Sequence, residues 1–195
     1  MIFKNRDKYL NFNQLASHQR EGIDFEIVAV EKPNSLAAIV APHGGGIEAK
    51  TGSIARVIAG TEYSLYYFEG RKGSGNRVLH ITSDHFDEPK CLKLIEKHQR
   101  IISIHGCNDK NEKVYIGGLD EELIEILISE LSSVGIFPKL SEKFSGKSPD
   151  NICNRGLTKK GVQFELSLQF RTGVRVPLFV KSVRSALYEV SLLNK

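Results

Sequence analysis

Apolar positions along this chain come in short runs separated by polar segments. FEIVAV (25–30) and LAAIVA (36–41) have the length and β-branched content of strands, and EKPNS between them carries the residues of a turn. AKTGSIARVIA (49–59) has helical spacing. YSLYYF (63–68) and RVLHIT (77–82) are strand-like runs joined by the glycine-rich EGRKGSGN. DEPKCLKLIEKHQ (87–99) opens with acids and Pro89, as helix N-termini do. IISIHG (101–106) and KVYIGG (113–118) are short strand patterns. LDEELIEILISELSSVG (119–135) is the clearest helix, with Gly135 as its C-terminal cap. GVQFELSLQF (161–170) alternates as a half-buried strand does, and VPLFVKSVRSALYEVSLLNK (176–195) closes the chain as a helix. The β-β-α-β-β-α-β order predicts an α/β fold: one domain over 1–195, with a mixed, mostly parallel sheet flanked by helices. The longest irregular segment, 141–160, is marked as functional by its length.

Composition narrows the function classes. The chain has 195 residues, 41% of them hydrophobic, which suffices for one α/β core. Its net charge of +4 comes from dispersed basic residues. That pattern does not make a nucleic-acid tail, but it can steer an anion into a cleft. There is no apolar run of about 18 residues, so no membrane span is expected. The N-terminal MIFKNRDKYLNFNQ lacks an apolar core, so no signal peptide is expected and synthesis in the cytoplasm follows. Cys91, Cys107 and Cys153 have neither metal-knuckle nor redox spacing and read as reduced thiols.

The chemistry concentrates in APHGGGIEAKTGS (41–53). Three readings compete. A phosphate loop would run from Gly44 to Lys50-Thr51, giving a nucleotide-binding protein. Ala49, however, stands where the second glycine belongs, and His43 and Glu48 are left without a role. An esterase oxyanion loop would need a Gly-x-Ser-x-Gly elbow and a late histidine; the chain has no such elbow, and its last histidine is His105. A zinc site explains more. The glycines let the backbone fold back at a strand end and bring His43 and Glu48 to one ion.

A catalytic zinc needs a third protein ligand. His98 sits in a charged helical segment and reads as solvated, while His80 inside VLHIT reads as a hydrogen-bonded core residue. His85 follows a strand and either lines the cleft or caps the next helix. His105 ends IISIH just before Gly106 and is the preferred ligand, with His85 in reserve. Glu165 in VQFELSL is a candidate base, although plain alternation puts it on the solvent face between the inward Phe164 and Leu166.

Taken together, APHGGGIEAKTGSIA, LHITSDHFDEP, SIHG, CNRG and FELS resemble the blocks of the zinc carboxypeptidase-like hydrolases. They are most similar to the branch of phage-type poly-γ-glutamate hydrolases with its bacterial and prophage relatives. The resemblance runs from about residue 24 to the C-terminus. It implies a carboxypeptidase-like (phosphorylase/hydrolase-like) α/β fold, one Zn2+, and hydrolysis of the γ-glutamyl amides of poly-γ-glutamate, a polymer of some bacterial capsules. It implies His43, Glu48 and His105 as ligands and Glu165 as base. For binding substrate carboxylates it implies Arg155 beside Asn154, since carboxypeptidases clamp a carboxylate with an Asn-Arg pair. His85 and Arg77 are further candidates, and Arg56, Arg171 and Lys159 weaker ones. The expected partner is the anionic polymer, with no nucleic acid or membrane, and the chain is expected to be a monomer. A phage or prophage origin fits action outside the cell after lysis. A peptidase or amidase acting on another γ-glutamyl or cell-wall peptide would share the same site.

Overall fold

The computed structural model describes residues 7–193; residues 1–6, with the start of the expected domain, and the last two residues of the expected terminal helix lie outside them. In chain order the elements are α1 (Phe12–Ala16), β1 (Phe25–Val30), β2 (Ala37–Gly45), α2 (Thr51–Ala59), β3 (Ser64–Gly70), α3 (Pro89–Ile95), β4 (Arg100–Cys107), β5 (Val114–Gly118), α4 (Glu121–Ser133), β6 (Val162–Ser167), α5 (Leu168–Arg171) and α6 (Val176–Leu193). The six strands form one sheet in the order β1-β3-β2-β4-β6-β5. The four central strands run parallel, and β1 and β5 close the edges antiparallel. This is the expected mixed, mostly parallel α/β sheet.

Both faces of the sheet are covered, as a parallel sheet requires. On one face Ile39, Ile102, Ile104, Phe164 and Leu166 pack against the apolar stripes of α2, α4 and α6. On the other, Ala38, Val40, Tyr66 and Phe68 pack against α1, α3 and the buried Leu79, Ile81 and Phe86. Among the described residues no helix is long and apolar enough to cross a membrane.

Three departures from the sequence pattern have clear causes. The run 77–82 is not a strand: it is most of one 3-10 turn, Asn76–Leu79, and the link to a second, Ser83–His85. Both edges of β3 are already taken, by β1 and β2, so the run buries Leu79 and Ile81 without joining the sheet beside β3. The helix expected over 87–99 is only Pro89–Ile95. Glu88 caps it by accepting from the amides of Lys90 and Cys91. His98, beyond its end, is not solvated: it is buried, with its Nδ1 bonded to the Leu94 carbonyl. Finally, β6 stops at Ser167, whose hydroxyl accepts from the Phe170 amide and starts α5.

The packing under β6 yields a stability prediction. Phe164 is fully buried, with its ring edge-on to Phe179 at 5.0 Å. Phe164→Ala is expected to cost about 3–5 kcal/mol, read as a shift in the denaturant midpoint.

Candidate metal centre

The site lies at the C-terminal ends of the parallel strands, between β2 and β4. The chain runs from β2 to one side and later crosses to the other, and open α/β sheets place their ligands at such a switch point. Side chains alternate along each strand. Phe164 and Leu166 face the helix-covered core, so Glu165 and Gln163 face the other way. His105 is in register with Glu165 across β4 and β6 and shares its face.

Strict alternation would aim His43 with Ile39 and Ala41 into the opposite core. It does not, because the β2–β3 register shifts between Ala41 and Gly44. Pro42 falls within this interval and has no amide hydrogen for the ladder, the situation in which strands bulge. The bulge turns His43 onto the face of His105 and Glu165. The chain then reverses through Gly45, whose φ is 62° and where a Cβ would meet the Gly70 carbonyl at 2.4 Å. Only glycine fits there. The reversal returns Glu48 beneath His43, as the reading of the glycines as a turn anticipated.

His43, Glu48 and His105 form a group that could hold a metal ion. His43 Nε2 donates to the Ile81 carbonyl at 2.8 Å, which in a neutral ring leaves Nδ1 as the nitrogen with the lone pair. That Nδ1 lies 3.3 Å from Glu48 Oε2 and 3.1 Å from His105 Nδ1, and the last two atoms are 3.9 Å apart. Donors on a tetrahedral zinc, each about 2.0–2.1 Å from the ion, stand roughly 3.4 Å apart. The spacing therefore fits such an ion. Both histidines are almost fully buried, at 1% and 2% exposure, so they are fixed by packing.

The electrostatics suit ligands. Burial and then the neighbouring His43 push the His105 imidazole down to about 3, so it is neutral. Burial alone would raise Glu48, but His43, His105 and the Gly106 amide outweigh it and hold the carboxyl at about 2. That amide donates to Glu48 Oε2 at 2.7 Å and orients it. Glu165 goes the opposite way: burial first, and then the Glu48 charge, raise its carboxyl well above the ordinary range.

These groups line a cleft of about 880 Å³ whose walls also carry Arg77, His80, Lys143, Lys147 and Arg171. Four amides of the glycine turn are committed to backbone carbonyls and so are not open to a phosphate: Gly46 to Gly70, Ile47 to Gly44, Glu48 to His43 and Thr51 to Glu48. The Thr51 hydroxyl bonds the His43 and Glu48 carbonyls, and Lys50 is exposed.

Of the other candidates, Arg77 and Arg171 are on the cleft wall. Asn154 is buried, giving both amide hydrogens to the Gly146 and Ser148 carbonyls and accepting from the Leu119 and Gly161 amides. It is a structural clamp for the 141–160 loop. Arg155 donates to the Phe86 carbonyl at 3.1 Å, and neither it nor the exposed His85 lines the cleft. The Asn-Arg pair therefore stands away from the site. Arg56 lies over the Tyr67 ring, and Lys159 is exposed.

His80, expected as a hydrogen-bonded core residue, is hydrogen-bonded but stands on the cleft wall. Its ring stacks on His43 at 4.0 Å, and its Nδ1 donates to Asp7 at 2.7 Å. A histidine in an apparent strand gave no sign of this. Lys143 and Lys147 did carry a signal, their place in the longest loop.

The family model described as poly-gamma-glutamate hydrolase matches residues 9–185. The chain is 40% identical to the UPF0714 protein YndL of Bacillus subtilis over 85% of its own length and 66% of that protein's. It is 36% identical to the UPF0714 protein YmaC of the same organism, over 85% and 71%. The SPbeta prophage-derived YoqZ, also of B. subtilis, is 36% identical over 85% and 60%. The chain thus spans about two thirds of the length of the curated relatives it matches. Its fold superposes on a bacteriophage poly-gamma-glutamate hydrolase with a TM-score of 0.91 and 32% identity, covering 96% of this chain and 99% of that one. It superposes on YndL in a form described as apo and zinc-free with a TM-score of 0.89 and 34% identity, covering 94% and 98%. The chain belongs to the poly-gamma-glutamate hydrolase family.

Proposed function

We propose that this protein is a zinc-dependent hydrolase of the γ-glutamyl amide bonds of poly-γ-glutamate. The observation that carries the reading is a His-His-carboxylate donor set, both imidazoles buried, in one cleft with a second carboxylate that stands apart from it. His43, Glu48 and His105 would hold the ion. When bound, zinc polarises a carbonyl and makes water a nucleophile near neutral pH.

The chain's own residues supply the rest. Glu165 stands on β6 beside His105, facing the cleft. It takes the proton of the attacking water and returns it to the leaving amine. An ordinary glutamate, near 4.3, is a weak base at neutral pH; burial makes Glu165 a stronger one. The substrate carries one free carboxylate per unit. Arg77, Lys143, Lys147 and Arg171 on the walls supply the opposite charge. Capsule degradation, with release of the enzyme by lysis, is the setting in which this activity would act.

Glu165→Gln is expected to keep its zinc and lose about 10²–10⁴-fold in turnover. His105→Ala is expected to lose most of the metal, read by metal analysis of the purified proteins. An unchanged zinc content in the His105 variant would overturn the ligand assignment.

The pH dependence has a definite sign. Glu165 acts ionised, and its folded-state value is raised, so kcat/KM should fall as pH drops through that raised value. The acid limb should lie above the ordinary carboxylate range and disappear in Glu165→Gln. Arg77, Lys143 and Lys147 are exposed. Raising salt from about 0.1 M to 1 M, which shortens the screening length from about 10 Å to 3 Å, should therefore raise KM more than it lowers kcat.

A further inference from the structure

Arg171 differs from every other cation on the cleft wall. It is buried, at 8% exposure, yet it lines the cleft together with Glu48, His105 and Glu165. Its Nε donates to the Leu166 carbonyl at 3.1 Å, and its Nη1 donates to the Ala49 carbonyl. These two bonds tie the strand that carries Glu165 to the turn that carries Glu48. The guanidinium lies against Gly106, where a Cβ would come within 2.6–2.8 Å of Cζ and both terminal nitrogens. A slot without a side chain is thus kept for it beside His105.

Its remaining nitrogen, Nη2, has no hydrogen-bond partner among the described residues, and it is not among their sealed unsatisfied atoms. A buried guanidinium held by two carbonyls, with donors left over, is pre-organised for a planar anion. Glu165 and Glu48 are both close enough to act on its charge, but neither forms an ion pair with it.

We propose that Arg171 is a specificity-determining residue that binds the α-carboxylate next to the scissile amide and so selects γ-linked glutamate units. The inference rests on the function proposed above. In a γ-linked chain, the carbon bonded to the amide nitrogen carries a free carboxylate. In an α-linked chain that place holds the next amide, and the free carboxylate stands two methylenes further out. A cation fixed between the metal ligands and the base meets the first arrangement and misses the second. The flexible Lys143 and Lys147 attract either polymer without distinguishing them.

The test compares a γ-linked glutamate oligomer with the same oligomer whose α-carboxylates are capped as carboxamides. The quantity read is the ratio of kcat/KM on the two, which does not depend on the fraction of folded enzyme. Wild type should prefer the acid form, and Arg171→Gln and Arg171→Lys should each reduce that preference by at least about tenfold. Where turnover is too slow to measure, the same ratio is read as binding, in zinc-loaded Glu165→Gln and Glu165→Gln/Arg171→Lys proteins. An undiminished preference in the variants, with equal losses on both oligomers, would make Arg171 a structural tie and overturn the proposal. Absence of cleavage of either oligomer by the wild-type enzyme would instead overturn the underlying function.

Discussion

A proline in a central strand is the constraint on which the site depends. Pro42 cannot donate to the ladder, and the register of β2 against β3 shifts by one residue across it. Without that shift His43 would continue the series of Ala37, Ile39 and Ala41 into the helix-covered core. With it, the odd-numbered positions of one strand line the helix-covered core before the bulge and place a donor on the cleft face after it. His105 and Glu165 need no such device, because β4 and β6 stay in register and already present them on the cleft face.

The turn after the bulge solves a second problem, how to hold a carboxylate under two imidazoles without leaving buried polar groups unpaired. Four of its amides are taken by backbone carbonyls, and the Gly106 amide from β4 completes the shell of Glu48. The same glycine leaves room for the Arg171 guanidinium. One residue on β4 thus touches both the carboxylate of the donor group and the buried cation of the cleft, which couples the placement of the two.

The two carboxylates in the cleft are driven apart by their surroundings. Glu48 is surrounded by imidazoles and an amide hydrogen and stays ionised at low pH; Glu165 faces Glu48 from a half-buried strand position and resists ionisation. That division, one carboxylate suited to hold a cation and one suited to move a proton, follows from position alone, since both are ordinary glutamates.

Most of the architecture was legible in the chain: the alternation of apolar runs marks the cores of all six strands and the three long helices, because burial on both sheet faces demands those patterns. His43, Glu48 and His105 were legible as a set, since each sits at a strand end or in the glycine turn next to one. Alternation also placed Glu165 correctly on the face away from Phe164, but it could not say that this face borders a cleft instead of open solvent. The run 77–82 misled because local apolarity cannot reveal that the neighbouring strand edges are occupied. Arg155 and Asn154 misled for a related reason: a loop motif does not disclose which way the loop folds, and here Asn154 is turned inward to bond that loop's own backbone. Arg171 stood among the weaker candidates in the sequence, and only three dimensions set it apart. Its partners are carbonyls of Ala49 and Leu166 and the bare backbone of Gly106, and contacts to backbone leave no mark in the pattern of side chains.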